Sequence, residues 1–272
     1  MDQAEVGGLR IAYNRAGSGP PVALAHGFVG DGLSTWSEQI EALSDDFTVV
    51  AWDAPGAGRS SDPPEWFRTA DYADCLVGLL ASLGLPRAHL VGLSFGGIVT
   101  LSVAERHAEV PRSLGLVSAY AGWRGSLPAE EVEARLRTCL RLSELPPQDF
   151  AQALVPSMFS ADAAETAVAG FAASVRRFSP AGFRAMALAS AEADLRHVLP
   201  HVGVPALLVY GDQDVRAPLD VAERIRSAIP SSRLVVLPGV GHVSSVEAPA
   251  MVSRELGAFL RAVENEVGDT GR

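Results

Sequence analysis

Short apolar runs alternate along this chain with longer amphipathic stretches, which is typical of a parallel β-sheet covered by helices on both faces. The predicted strands are residues 9–14, 22–25, 47–52, 88–93, 113–118, 206–210 and 233–237. Helices fill the intervals, and Thr69 is placed to cap a helix predicted over residues 69–83. Ser179 followed by Pro180 marks another helix start, as does Pro249. The predicted fold class is therefore α/β, with a mostly parallel twisted sheet.

The alternation stops between residues 121 and 195. This segment contains no good strand but several helical stretches, including residues 129–143 and 161–178. We expect residues 121–195 to form a helical cap, or lid, inserted into one core made of residues 1–120 and 196–272. The alternative is a set of helices that pack on the flank of the sheet. The polar residues 266–272 are expected to form a frayed tail.

The sequence GLSFGG at residues 92–97 follows a predicted strand and opens a predicted helix. A serine in the pattern G-x-S-x-G fits a sharp, strained turn that pushes the hydroxyl of Ser94 outward, where it can act as a nucleophile. The N–H of Phe95, at the helix start, then points to the place where an oxyanion would form. This short pattern also matches ordinary glycine-rich turns, so the prediction depends on finding a base and an acid elsewhere.

A base and an acid are both present in later strand-end loops. His242 lies on a short glycine-bounded loop after the last predicted strand, where it is free to swing over a serine. Asp212 and Asp214 come directly after the strand at residues 206–210. A carboxylate there would hold the imidazole in the required tautomer. These residues alone leave the choice between the two aspartates open. The remaining histidines are expected to be structural or exposed: His89, His107, His197 and His201.

With these motifs in this order, residues 9–263 resemble the α/β-hydrolase superfamily. The matching motifs are HGF at 26–28, DAPGAGRS at 53–60, GLSFGG at 92–97, GDQD at 211–214 and GH at 241–242. The resemblance implies that Ser94 is the nucleophile, Asp214 the acid and His242 the base. It also implies that the backbone N–H groups of Phe28 and Phe95 form the oxyanion hole.

The same resemblance implies structural roles for three further residues. His26 would tie loops together, and Asp53 and Ser60 would shape the neighbouring loop. Haloalkane dehalogenases and epoxide hydrolases of the superfamily carry aspartate at the elbow because they attack carbon, whereas this chain has Ser94. That difference favours acyl transfer.

We therefore expect a serine esterase or lactonase that cleaves a small carboxylic ester or lactone through an acyl-enzyme, without a metal or organic cofactor. Three alternatives stay open, because a fold does not determine a substrate. The same residues could cleave a carbon–carbon bond in a vinylogous diketone. They could carry out perhydrolysis, as haloperoxidase-type relatives do, or the chain could be a ligand-binding receptor.

Apolar residues in the predicted cap indicate an apolar substrate pocket, with Trp123, Phe159 and Phe183 as candidate lining residues. More than half of the apolar cap residues are nevertheless expected only to bury the cap on the core. Basic residues also occur in this region: Arg124, Arg135, Arg176 and Arg177. Any of them could bind a carboxylate, although solvated helix faces explain them more simply.

The composition narrows the range of partners. Hydrophobic residues make up 48% of the 272 positions, which is ample for one core. The formal net charge of −10 repels nucleic acid and acidic membranes, so a neutral small molecule is the expected partner of a monomer or homodimer. Two cysteines, Cys75 and Cys139, are too few for a disulfide framework. The sequence begins without a basic, apolar leader and has no apolar run of about 20 residues, so we expect a cytoplasmic protein.

Overall fold

The computed structural model describes residues 2–270, and the side chains of residues 2–266. Its strands are β1 (Asp2–Val6), β2 (Leu9–Ala16), β3 (Pro21–Ala25), β4 (Thr48–Trp52), β5 (Ala88–Leu93), β6 (Pro111–Val117), β7 (Ala206–Gly211) and β8 (Ser232–Leu237). These strands form one sheet in the order β1-β2-β4-β3-β5-β6-β7-β8. The pairs β1–β2 and β2–β4 are antiparallel, and every other pair is parallel.

The first three helices follow strands of the sheet: α1 (Gly32–Leu43), α2 (Thr69–Ser82) and α3 (Phe95–Arg106). Four helices lie between β6 and β7: α4 (Ala129–Leu142), α5 (Pro147–Leu154), α6 (Glu165–Val175) and α7 (Pro180–Glu192). The last three are α8 (Leu219–Ala228), α9 (Ser244–Glu247) and α10 (Pro249–Thr270). None of the helices described is both long and apolar enough to cross a membrane.

The crossover connections place helices on both faces of the sheet and define where a ligand would bind. The chain moves outward from β3 through α1 to β4, then returns past β3 through α2 to β5. Because such connections are right-handed, α1 and α2 lie on opposite faces. Helix α10 packs against α1, and α3 packs against α2. The direction of winding changes between β3 and β5, and ligands of α/β folds bind beyond the carboxyl ends of strands at such a point.

All seven predicted strands are present, with small differences at their ends, and α/β architecture is confirmed. β4, β5 and β7 are buried along their whole length, which explains why continuous apolar runs mark them. Between β6 and β7 the described chain contains helices and no strand. The helix expected over residues 161–178 is shorter, since α6 covers Glu165–Val175. The predicted tail is helical through Thr270, and residues 271–272 lie outside the described part.

The two predicted helix starts at serine and threonine have different outcomes. Ser179 caps α7, and its side chain accepts a hydrogen bond from the N–H of Gly182. The prediction for Thr69 is wrong, because Thr69 is already the first helical residue of α2 and its hydroxyl donates to the carbonyl oxygen of Ala189 at 3.2 Å. The hydroxyl therefore joins α2 to α7 instead of capping α2.

Candidate active site

The predicted elbow forms a sharp turn between β5 and α3. Ser94 has φ of 54° and ψ of −110°, a left-handed conformation that side chains rarely adopt. The turn is possible only because its neighbours lack side chains. A Cβ atom on Gly92 would lie 2.2 Å from the backbone of Gly96, and one on Gly96 would lie 2.1 Å from the carbonyl oxygen of Ala25. The tight backbone thus holds the Ser94 hydroxyl at the carboxyl end of β5.

Ser94, His242 and Asp214 form a hydrogen-bonded series across three strand ends. Nε2 of His242 lies 3.0 Å from Oγ of Ser94. Nδ1 of the same ring lies 2.8 and 3.0 Å from the two carboxylate oxygens of Asp214. The three residues are only 4%, 2% and 4% exposed, respectively, so little water competes for these hydrogen bonds.

Asp214 is held as an ionised carboxylate by its surroundings. Its Oδ1 accepts hydrogen bonds from the backbone N–H groups of Arg216, at 2.9 Å, and Ala217, at 2.8 Å. Burial by itself raises the pKa of Asp214, but His242 and these two N–H groups together outweigh burial and keep that pKa below its ordinary value. The carboxylate can therefore orient the imidazole and balance a positive charge on it.

Asp212, the other candidate acid, binds a backbone N–H group and not His242. Its Oδ1 accepts a hydrogen bond from the N–H of Gly239 at 2.7 Å, and the residue is exposed. This contact fastens the end of β7 to the turn that follows β8. Among the described residues, no hydrogen bond joins Asp212 to a histidine.

Hydrogen bonds anchor the loop that carries His242 on both sides of the histidine. The N–H of Gly241 donates to Glu247 at 3.0 Å, and the N–H of Val243 donates to the carbonyl oxygen of Met158 at 2.9 Å. Glu247 also accepts hydrogen bonds from the N–H and the hydroxyl of Ser160. Sequence reasoning missed Glu247, because a glutamate beside a helix start looks like an ordinary surface residue.

Two unpaired backbone donors lie on the loops next to Ser94. Phe95 is the first residue of α3, so its N–H has no acceptor within the helix. Phe28 lies in the loop after β3, the strand that pairs with β5. Neither N–H donates a hydrogen bond to another backbone group of the described chain. The two loops are close, since a Cβ atom on Gly27 would lie 3.8 Å from Cβ of Ser94.

His26 ties these loops together, as the resemblance implies. The buried imidazole donates from Nδ1 to the carbonyl oxygen of Gly27 and accepts at Nε2 from the N–H of Ala54 at 2.9 Å. Burial lowers the pKa of His26, which preserves the neutral ring that this pairing requires. Asp53 accepts hydrogen bonds from two backbone N–H groups, and Ser60 donates to the Asp53 carbonyl oxygen. The loop that carries the Phe28 N–H therefore rests on a buried polar network.

The three candidate pocket residues are all buried beside the same loops. The ring of Phe28 stacks on that of Phe183 with centroids 5.2 Å apart and meets the edge of Trp123 at 6.1 Å. The backbone of Phe159 covers the histidine loop, because a Cβ atom on Gly241 would lie 2.6 Å from it. Residues from between β6 and β7 thus lie over both loops.

Two arginines border this aromatic group. Cζ of Arg135 lies 5.7 Å from the ring centre of Tyr120 and 5.4 Å from that of Trp123. Cζ of Arg216 lies 5.4 Å from the ring centre of Phe28. The expected solvated position is wrong for Arg135, whose side chain is only 15% exposed. Sequence reasoning missed Arg216, since nothing in the local pattern shows which way its side chain points.

The described side chains offer no evident metal centre and no activated thiol. No group of three or more His, Cys, Asp or Glu residues within the described chain is arranged to hold a metal ion. Burial raises the pKa of Cys75 to about 12 and that of Cys139 to about 11. Both thiols are therefore protonated at neutral pH and poorly nucleophilic.

Comparison with known proteins agrees with this geometry. The family model described as the alpha/beta hydrolase fold matches residues 20–249. A dihydrolipoyllysine-residue acetyltransferase component of an acetoin cleaving system from Pseudomonas putida is 31% identical, over 95% of this chain and 69% of that protein. A thermophilic esterase from Thermogutta terrifontis has a TM-score of 0.87 and 29% identity, over 97% of this chain and 99% of that one. The enol-lactonase from Burkholderia xenovorans LB400 has a TM-score of 0.87 and 26% identity, over 96% and 100%. Fold, motifs and relatives agree that the chain belongs to the α/β-hydrolase family.

Proposed function

We propose that this protein is a serine hydrolase that cleaves a small carboxylic ester or lactone through an acyl-enzyme on Ser94. The observation that carries this proposal is the hydrogen-bonded series from Asp214 through His242 to Ser94. The similarity of this chain to an esterase and to an enol-lactonase supports an ester or lactone bond as the one that is cleaved.

The acylation step follows from the positions of these groups. Oγ of Ser94 attacks the substrate carbonyl carbon while Nε2 of His242 takes the hydroxyl proton. Asp214 keeps the other ring hydrogen on Nδ1 and balances the positive charge of the imidazolium. The N–H groups of Phe28 and Phe95 donate hydrogen bonds to the oxyanion of the tetrahedral intermediate.

The intermediate then collapses and water releases the acyl group. His242 returns its proton to the leaving alkoxide oxygen as the carbon–oxygen bond breaks. The neutral imidazole next removes a proton from water as the water oxygen attacks the ester of Ser94. The second tetrahedral intermediate then breaks its bond to Oγ, which takes the proton back from His242, and the carboxylic acid is released. With a lactone, the alcohol stays attached to the acyl chain, so ring opening gives a single product.

The helical segment of residues 121–195 is proposed as the cap that selects the substrate. Trp123 and Phe183 contact the ring of Phe28, and Phe159 covers the histidine loop. These contacts support an apolar acyl pocket next to the nucleophile, since the same side chains that bury the cap also approach the oxyanion loop.

A substrate panel tests the reaction class. We expect purified protein to hydrolyse p-nitrophenyl esters or simple lactones, and Ser94→Ala to lower kcat on the order of a million-fold. A protein that acts only on a vinylogous diketone, or that only forms peracid from hydrogen peroxide, would contradict the proposal. Binding without turnover would indicate a receptor.

Ser118 offers a matched control for this experiment. Ser118 also has a positive φ, of 45°, and follows β6, the neighbour of β5 in the sheet. Its buried hydroxyl has no hydrogen-bond partner in the part of the chain that the structure describes. We therefore expect Ser118→Ala to keep the wild-type rate, so that a loss seen only in Ser94→Ala reports the missing nucleophile.

A further inference from the structure

Arg216 carries a positive charge that the described part of the chain does not neutralise. Its Nη1 donates to the hydroxyl of Ser157 at 2.9 Å, and its buried Nε has no hydrogen-bond partner. No carboxylate among residues 2–266 forms an ion pair with the guanidinium. Asp214, two positions earlier, is already paired with His242. Burial lowers the pKa of Arg216, although arginine stays protonated at neutral pH.

The guanidinium lies among the parts of the site that would contact the acyl group. Arg216 starts from the loop of Asp214, to which its backbone N–H donates. Its Cζ lies 5.4 Å from the ring centre of Phe28, whose N–H is a proposed oxyanion donor. Ser157, its hydrogen-bond partner, belongs to the proposed cap. The charge is thus placed between the acid loop, the oxyanion loop and the cap.

A second guanidinium, that of Arg135, lies on this side of the site. Arg135 donates to the hydroxyl of Tyr120, which itself donates to the carbonyl oxygen of Arg216. The carboxylate that pairs with Arg135 is that of Glu131, whose side chain is 46% exposed. The aromatic faces of Tyr120 and Trp123 attract the Arg135 cation without neutralising it. Glu131 therefore compensates Arg135, and Arg216 is the cation of this pair that has no carboxylate partner among the described residues.

We propose that Arg216 binds a carboxylate carried by the substrate, so that the preferred substrate is an anionic ester or lactone. This inference rests on the proposed function. A guanidinium edge matches the two oxygens of a carboxylate, and the unpaired Nε supplies a donor for one of them. The net charge of −10 led us to expect a neutral substrate. The positive charge of Arg216 beside the site is opposite in sign and favours an anionic one instead.

The test compares two esters with acyl chains of six carbons. p-Nitrophenyl hemiadipate carries a terminal carboxylate, whereas p-nitrophenyl hexanoate is neutral. We expect Arg216→Met to lower kcat/KM for the hemiadipate at least tenfold more than for the hexanoate, mainly through KM, because a charge-assisted hydrogen bond is lost. Equal changes for both esters would overturn the proposal.

Arg137→Met is the matched control, because Arg137 lies on the exposed face of α4 and its side chain is 67% exposed. We expect this variant to keep the wild-type ratio between the two esters, and a shift as large as that of Arg216→Met would overturn the proposal.

Calorimetry on the wild-type protein covers the case in which Arg216→Met does not fold. Adipate should bind at least tenfold more tightly than adipamide, which has the same chain with two uncharged ends, and equal affinities would overturn the role of Arg216. Calorimetry also separates the two proposals. Failure of the proposed function would appear as no hydrolysis of either ester, whereas tighter adipate binding would still support the carboxylate site.

Discussion

Asp214→Asn should reverse the tautomer of His242 while preserving the shape of the site. Oδ1 of Asp214 accepts the N–H groups of Arg216 and Ala217, at 2.9 and 2.8 Å. An asparagine must keep its carbonyl oxygen at that position, because its NH2 group cannot accept a hydrogen bond. The NH2 group then takes the place of Oδ2, which lies 2.8 Å from Nδ1 of His242.

This exchange predicts a large loss of rate. The NH2 group can only donate, and it takes the shorter of the two contacts with Nδ1, at 2.8 Å against 3.0 Å for the carbonyl oxygen. We therefore expect Nδ1 to give up its hydrogen and the ring to carry it on Nε2 instead. Nε2 of His242 lies 3.0 Å from Oγ of Ser94 and could then no longer accept the hydroxyl proton. A wrong tautomer of this kind lowers kcat by about 10⁴, equivalent to a barrier about 5.5 kcal/mol higher.

Asp212→Asn provides the control, since the asparagine carbonyl oxygen can still accept the N–H of Gly239 that Asp212 accepts now at 2.7 Å. The assay is kcat/KM for p-nitrophenyl butyrate together with Tm for each variant. We expect a rate near wild type for Asp212→Asn and similar Tm values for all three proteins. The reasoning is refuted if Asp214→Asn keeps a tenth of the wild-type activity, or if both variants lose activity equally.

Three further predictions concern stability and specificity. Burial lowers the pKa of His89 to about 4 from 6.5, so the unfolded chain gains a proton at a pH where the folded protein does not, and stability falls as pH drops from 6.5 toward 4. We expect His89 to contribute about 2 kcal/mol to the loss of stability between pH 7 and pH 5, measured by urea unfolding as the difference between wild type and His89→Gln; an identical loss in both proteins would contradict it. Phe183→Ala should change the preference among acyl-chain lengths tenfold or more if Phe183 lines the pocket, whereas a lower Tm with an unchanged profile would mean that it only packs the cap. Glu247→Gln should lower both Tm and kcat, because one amide oxygen replaces two carboxylate oxygens that accept hydrogen bonds from the Gly241 loop and from the proposed cap. Unchanged Tm and kcat would show that these hydrogen bonds are dispensable.

The proposed nucleophile, acid and base could be predicted from the sequence because each of them follows a strand, which is fully buried for Ser94 and Asp214 and partly exposed for His242. A continuous apolar run marks such a strand, and parallel strands bring their carboxyl ends to one edge of the sheet. The residues alone left the choice between Asp212 and Asp214 open, and only the family resemblance pointed to Asp214, since the choice depends on which carboxylate faces a ring 28 positions later in the chain.

Other features left no local signal. Strand β1 (Asp2–Val6) is an edge strand with mostly exposed or half-buried positions, so no apolar run marks it. Thr69 has the residue type of a helix cap, but α2 begins one residue earlier than a cap at Thr69 requires, and its hydroxyl donates to a carbonyl oxygen of α7. Arg216 and Glu247 act through contacts with residues far away in sequence, which periodicity and turn patterns do not encode.

The left-handed backbone of Ser94 sets activity against thermostability at a single position. A non-glycine residue in such a conformation costs the folded protein about 1–3 kcal/mol whether or not substrate is present. Glycine tolerates the same angles without that cost, so a library of variants screened only for survival at high temperature would favour glycine at position 94. Since Ser94 is the proposed nucleophile, we expect such a screen to enrich inactive protein, and directed evolution of this chain therefore needs a selection that rewards turnover at every round.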